Sequence, residues 1–288
     1  MISLAGFVFL LACVFGGYIA AGGKMDIILK ALPFEFAIIG GAAFGSLLMA
    51  NSIAEVKHIL GGFGKILKGG KYKRQDYMEL LSLLFWLVRL AQTKGPMAIE
   101  PHIEKPEVSA AFNKFPNILK DHHTVAIICD YLRMVGMNAD DPHQIEDVMA
   151  RELKKMKEEE LHSAHALQSV ADALPALGIV AAVMGVIKTM ASIDQPPAVL
   201  GKMIGGALVG TFLGVLLAYG LVGPFSARLK AVIEEESKYH EVIRAVLVAH
   251  LHGNAPQVAV ETGRKMVPTA LMPSFVEVEE SLQNLQIS

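Results

Sequence analysis

Two cysteines, one tryptophan and a net charge of −2 at pH 7 in 288 residues exclude several functional classes at the outset. Cys13 lies in an apolar segment and Cys129 in a helical one, so they supply neither a disulfide framework nor the spacing of a structural metal site. With 26 Lys and Arg against 28 Asp and Glu, there is no global basic surface asking for nucleic acid. Enzyme signatures are missing too: no GxxxxGK[ST] phosphate loop, no GxSxG and no HExxH occurs. His122 and His123 are adjacent and point in different directions on a helix, while His162 and His165 share a face without a third obvious ligand. The expectation is a protein that is not an enzyme and holds no cofactor or metal. The last absence is local: residues 2–22 carry no charge at all.

What is present is apolar. The chain is 53% hydrophobic and 19% charged, with a mean hydropathy of +0.43, too apolar for an ordinary soluble protein of this size. Four segments read as membrane helices: residues 2–22, about 36–53, 173–187 and 203–225. Gly22, Gly23, Lys24 and Pro33 mark a loop into the second, with Glu35 at its mouth. Gln195, Pro196 and Pro197 mark the turn between the third and fourth. Lys57, Lys65, Lys68, Lys71, Lys73 and Arg74 follow span two, with Glu55 the single acid near them, while the short loops between paired spans carry Lys24, Lys30 and Lys202. The positive-inside rule then predicts a multi-pass protein with the middle region and both termini in the cytoplasm. Gly61, Gly62, Gly64, Gly69 and Gly70 among these lysines read as a flexible, basic connector facing lipid.

Small residues recur at four-residue spacing in the last two spans. Gly206, Gly210 and Gly214 form one stripe, and Gly178, Ala182 and Gly185 line the preceding helix, a pattern that lets backbones approach closely in lipid. An ion-conducting protein keeps a titratable carrier in its apolar zone. Asp172 and Lys188 stand at the ends of span three, and Thr189, Thr211 and Tyr219 do not titrate usefully, so a carrier for protons is expected on another subunit.

The fold class expected is all-α, with spans at 1–54 and 169–226, a cytoplasmic helical domain at 55–168 and a cytoplasmic helical tail at 227–288. Leu80, Leu83, Leu84, Leu87 and Leu90 repeat at helical spacing behind Asp76 as a cap, until Gly95 and Pro96. Extended loop with Pro101, Pro106 and Pro116 precedes a helix over 121–135. Asp141 as N-cap and Pro142 open a third helix that carries RELKKMKEEE and runs on into span three. A tail helix is expected over 227–251, and Ser274 three residues before Glu277 forms a capping-box pattern for a last one.

GYIAAGGK, DALPALGIVAAVMGV, VGTFLGVLLAYG followed by GP, NAPQVAVETGRK and PSFVEVEE together resemble the MotA family of flagellar stator subunits, within the MotA/TolQ/ExbB superfamily. The resemblance spans essentially the whole chain. It implies an inner-membrane pentamer around a dimer of a MotB-like single-span subunit, whose aspartate carries the proton and whose periplasmic domain holds peptidoglycan. It also implies torque on the rotor protein FliG. Pro175 and Pro224 match prolines used at the ends of spans three and four for conformational change, and Thr211 and Tyr219 match polar positions near the ion path. Ala182 stands where sodium-driven relatives have threonine, which favours protons. Glu100 matches a rotor-binding glutamate, Gln92 stands at the partner arginine's place, and Arg89 or Lys94 lies within three residues to substitute. An energiser like ExbB or TolQ is the alternative, but such relatives generally have three spans where four are read here.

Overall fold

A computed structural model describes residues 2–137 and 142–285. Twelve α-helices are found among these residues: α1 (Ile2–Ala20), α2 (Met25–Ala50), α3 (Ile53–Lys68), α4 (Arg74–Lys94), α5 (Glu100–Glu104), α6 (Pro116–Leu119), α7 (His122–Gly136), α8 (Pro142–Met190), α9 (Pro197–Leu217), α10 (Gly223–Leu251), α11 (Pro256–Met266) and α12 (Phe275–Gln283). Four of the helical rods are long and apolar enough to cross a membrane: α1, α2, α8, and the run from α9 through α10. The described residues divide into two compact units. One comprises the chain up to Gly69 with Glu159–Val232, the other Gly70–Glu158 with the chain from Ile233 onward.

In the first unit, α2 packs along α9, and Ile39, Ala43, Leu174, Ala181, Leu213 and Ala218 form a small buried cluster. Its outer faces carry exposed Val8, Phe9, Ile179, Val183, Met184 and Leu208. Such surface is stable in lipid and not in water. The second span begins earlier than hydropathy suggests: α2 starts at Met25 and carries Pro33 inside it. A proline removes one helical donor, but in lipid a helix that continues leaves fewer backbone groups unsatisfied than a loop does.

The glycine-rich basic stretch also departs from expectation, because it forms α3 and not a flexible connector. Ser52 Oγ accepts from Glu55 N at 3.3 Å while Ser52 N donates to Glu55 Oε2 at 2.6 Å, which closes a full capping box. Gly69, at φ +81°, ends the helix by donating to the Lys65 carbonyl at 2.8 Å. Contacts with α8 hold it: Lys65 pairs with Glu160 at 2.7 Å, and the His58 and His162 rings lie 3.6 Å from Glu160 and 3.4 Å from Glu55.

In the second unit, α4 is the central element. Tyr77, Leu80, Leu81, Leu84, Trp86 and Leu87 are all buried, against Ile128 and Leu132 of α7, Val242, Ile243 and Val246 of α10, Val260 of α11 and Val278 of α12. Trp86 is 2% exposed and meets the His102 ring edge-on at 4.9 Å. Asp76 is not the cap residue: α4 begins at Arg74, and Asp76 reaches back from its first turn to accept from Lys73 N at 2.7 Å. The proline-rich segment after α4 is short helical turns rather than extended loop. Pro96, Pro101, Pro106 and Pro116 each sit in the first turn of one, where the missing N–H costs nothing. Asp121 caps α7, accepting from the Tyr72 hydroxyl and the Thr124 hydroxyl, each at 2.8 Å, and pairing with Lys71 at 2.8 Å. Helix α8 starts at Pro142; Asp141, its expected cap, lies outside the described residues. Ser274 caps α12 with Glu277 in a second capping box.

Candidate functional site

The seam between α8 and α9 is built from glycine. A Cβ on Gly178 would lie 2.8 Å from the Gly210 carbonyl and 3.1 Å from Gly214 Cα, and one on Gly214 would lie 2.6 Å from the Leu174 carbonyl. A Cβ on Gly185 would meet Ala207 Cα at 2.9 Å. The backbones therefore touch, which any larger side chain would forbid. On α9 the seam runs through Ala207, Gly210 and Gly214. Gly206, grouped with them by spacing, turns toward α2, where its nearest neighbour would be Ala31 Cβ at 3.9 Å. A helix turns 100° per residue, so positions four apart drift around it and the stripe passes from 206 to 207.

The face of α9 that flanks the seam carries the hydroxyls. Thr211 is half-buried between exposed Leu208 and Val215, and Tyr219, about two turns on from Thr211, is 72% exposed. Tyr219 sits in a π-helical turn, Ala218–Val222, that joins α9 to α10 directly before exposed Pro224. Proline cannot donate to the preceding turn, and a wider turn absorbs the lost register. Pro175 lies inside α8, half-buried, without ending it. Ala182 is half-buried, and its backbone N would be 3.1 Å from a Cβ on Gly210.

One residue of this site was hidden in the sequence. Glu35 is not at the mouth of a span but ten residues inside α2, 8% exposed, with Oε2 lacking any hydrogen-bond partner among the described residues. That oxygen points at the seam, 2.6 Å from where a Gly210 Cβ would be. The signal was available: Glu35, Ile39 and Ala43 fall at four-residue steps on one helical face, and all three are buried. A cavity of about 300 Å³ runs from Glu35 to the end of the bundle where short loops join α1 to α2 and α8 to α9, lined also by Asp26, Lys30, Lys188, Thr189 and Lys202.

In the second unit, Arg89, Gln92 and Lys94 are exposed near the end of α4 and Glu100 is exposed at the start of α5. The Arg89 guanidinium lies 5.8 Å from the Phe85 ring centre. His162 and His165 do not converge on a third ligand among the described residues, whereas His143, Glu146 and His252 place ligand atoms within 4.8 Å of one another, a grouping that no sequence spacing reveals.

Residues 4–95 match the Motility protein A N-terminal family, and residues 119–242 match the MotA/TolQ/ExbB proton channel family. The Motility protein A of Salmonella typhimurium is 38% identical over 98% of this chain and 95% of its own. The chain belongs to the motility protein A family. Within it, the Motility protein A of Escherichia coli is likewise 38% identical over 98% of this chain and 95% of its own. Chemotaxis protein LafT of Vibrio parahaemolyticus is 36% identical over 96% of each. The fold is that of the flagellar MotAB stator complex from Bacillus subtilis, with a TM-score of 0.72 at 23% identity, covering 96% of this chain and 98% of that one.

Proposed function

We propose that this chain is the ring-forming subunit of a flagellar stator which, with a single-span MotB-like partner, conducts protons across the inner membrane and turns their flow into torque. The observation that carries the reading is the match along nearly the whole chain to relatives called motility protein A, including the N-terminal family that spans α1 to α4. Four membrane-length helices also favour a stator over an energiser like ExbB or TolQ. The glycine seam supplies a rigid α8–α9 pair. The exposed face of α9, with Thr211 and Tyr219 among apolar residues, supports contact with the partner helix that bears the carrier aspartate. A hydroxyl there can bond a carboxylate or a water where a methyl group cannot.

Protonating that aspartate removes a charge from apolar surroundings and changes how the partner packs against α8 and α9. One elementary charge crossing 100 mV releases about 2.3 kcal/mol, several RT, enough to bias a packed interface between two arrangements. In this reading five copies surround two partner helices, and both termini and the second unit lie in the cytoplasm. Arg89, Lys94 and Glu100, with Gln92 at the arginine position, meet FliG. Ala182, lacking an oxygen ligand, makes the ion a proton and not sodium. Pro175 and Pro224 serve as the points where the rods flex.

Deletion of the gene in the source bacterium tests this. Cells with normal filaments that do not rotate are expected. Swimming unchanged in an organism with one stator system would refute the torque role and turn attention to the energiser branch.

A further inference from the structure

Glu35 is the one carboxyl buried deep in the membrane-spanning unit with an oxygen that no described residue satisfies. Ten residues into α2, it stands roughly 15 Å along the helix from Met25. On one side it borders the cavity of about 300 Å³, which has room for several waters. On the other, Oε2 faces Gly210, the residue whose lack of a side chain gives the carboxyl its place beside Ala181 and Ala182. We propose that Glu35 is a second proton-holding site, belonging to this chain, which passes protons between the cavity and the α8–α9 seam. The inference rests on the proton-channel reading above.

A relay must be able to exist in both protonation states, and the surroundings of Glu35 pull in opposite directions. An ionised carboxylate with an unpaired oxygen shielded from water carries an uncompensated charge, whereas the protonated form offers a donor and no charge. Against this, the cavity collects positive charge from every element around it: Lys30 of α2, Lys188 of α8 and Lys202 of α9, with Asp26 of α2 the opposing acid. A cation held near a carboxylate favours its ionised form, and these three are the cations that the cavity offers. In a transfer, the carboxylate takes a proton from a hydronium in the cavity, an O–H bond forms on Glu35, and the proton leaves to a water or to the partner's carboxylate, restoring the starting state. One proton moves and nothing is oxidised. Thr189 takes no part as a donor to Glu35, since its hydroxyl already donates to the Gly185 carbonyl at 2.9 Å.

The test uses the full chain purified in complex with its single-span partner, whose own aspartate is changed to asparagine so that it adds no signal. Infrared difference spectra between acidic and alkaline buffer are expected to show the C=O stretch of a protonated carboxyl in an apolar site, and Glu35→Gln is expected to abolish it. In cells with the unmodified partner, Glu35→Gln is expected to slow rotation roughly tenfold or more, as loss of a positioned proton-transfer group does, with Glu35→Asp recovering part of the speed. Absence of the band from the wild-type chain overturns the relay, whether or not Glu35→Gln assembles. A band that survives Glu35→Gln, or rotation unchanged by that substitution, overturns it equally. None of these results touches the torque role, which the gene deletion decides separately.

Discussion

Arg264 shows how much one side chain can hold. Its guanidinium grips Glu261 with two bonds, Nε at 2.6 Å and Nη2 at 2.7 Å, and Nη1 donates to the Pro273 carbonyl at 2.9 Å, with the residue 7% exposed. Replacing it with alanine leaves the Pro273 carbonyl without that donor, while Glu261, 30% exposed, keeps Lys265 at 3.8 Å, and a loss of about 1–3 kcal/mol is expected in denaturant unfolding of the second unit. Lysine keeps the charge but not the fork, so Arg264→Lys should recover only a part. The hydrogen bond from Arg264 holds the Glu261 carboxyl below the usual carboxylate range. The stabilisation this brings is present above the ordinary value of about 4.3 and is lost as pH falls toward the depressed one. Histidine acts in a higher window. Burial keeps the His102 and His250 rings neutral below their ordinary value. The unfolded chain therefore binds protons first, and the second unit should lose stability as pH falls through about 6.5. Thermal melts at pH 7.5 and about 5.5 check this, and His250→Gln should flatten the difference.

Among the helices, the seam makes a sharp prediction because two glycines on one helix differ in what faces them. Gly214→Ala puts a methyl group 2.6 Å from a backbone carbonyl, which cannot step aside, whereas Gly206→Ala meets one methyl group at an ordinary 3.9 Å. The first should cost about 1–3 kcal/mol and drive α8 from α9, and the second should be nearly neutral. Yield of assembled complex and swimming speed distinguish the two. Spacing alone ranks Gly206 and Gly214 equally, which marks where sequence reading stops: it sees that a stripe exists but not where the helix rotates it. Elements with local causes were readable in advance, such as α12 with its Ser274 and Glu277 box and α8 running unbroken into an apolar span. Elements decided by tertiary contact were not. Helix α3 carries the same local signal, Ser52 three residues before Glu55, but its glycines read as a connector, and the tertiary part of its support, the ion pair of Lys65 with Glu160 on a helix about a hundred residues away, shows in no local pattern. Glu35 was misplaced for the same kind of reason: the span was started at the first uninterrupted apolar run, while the helix had already begun at Met25.

At the scale of the molecule, the two compact units are stabilised by different physics. The first is short of buried side chains and dresses its exterior in apolar residues, so its integrity depends on lipid, on glycine contacts and on whatever chains surround it. The second has a large apolar core of its own around α4, of the kind that unfolds cooperatively in denaturant. The chain has one tryptophan, and it lies in that second core at 2% exposure beside His102. Indole-selective excitation of the intact protein in detergent thus reports on one unit while the other stays dark. Blue-shifted emission is expected in the native state, with a red shift at the denaturant concentration where the second unit melts, while helical circular dichroism from the spans persists beyond it. Coincident transitions by both probes would show that the two melt as one. Nature has in effect placed a single lamp inside the second unit of this protein, and any variant can be sorted by whether it changes that light.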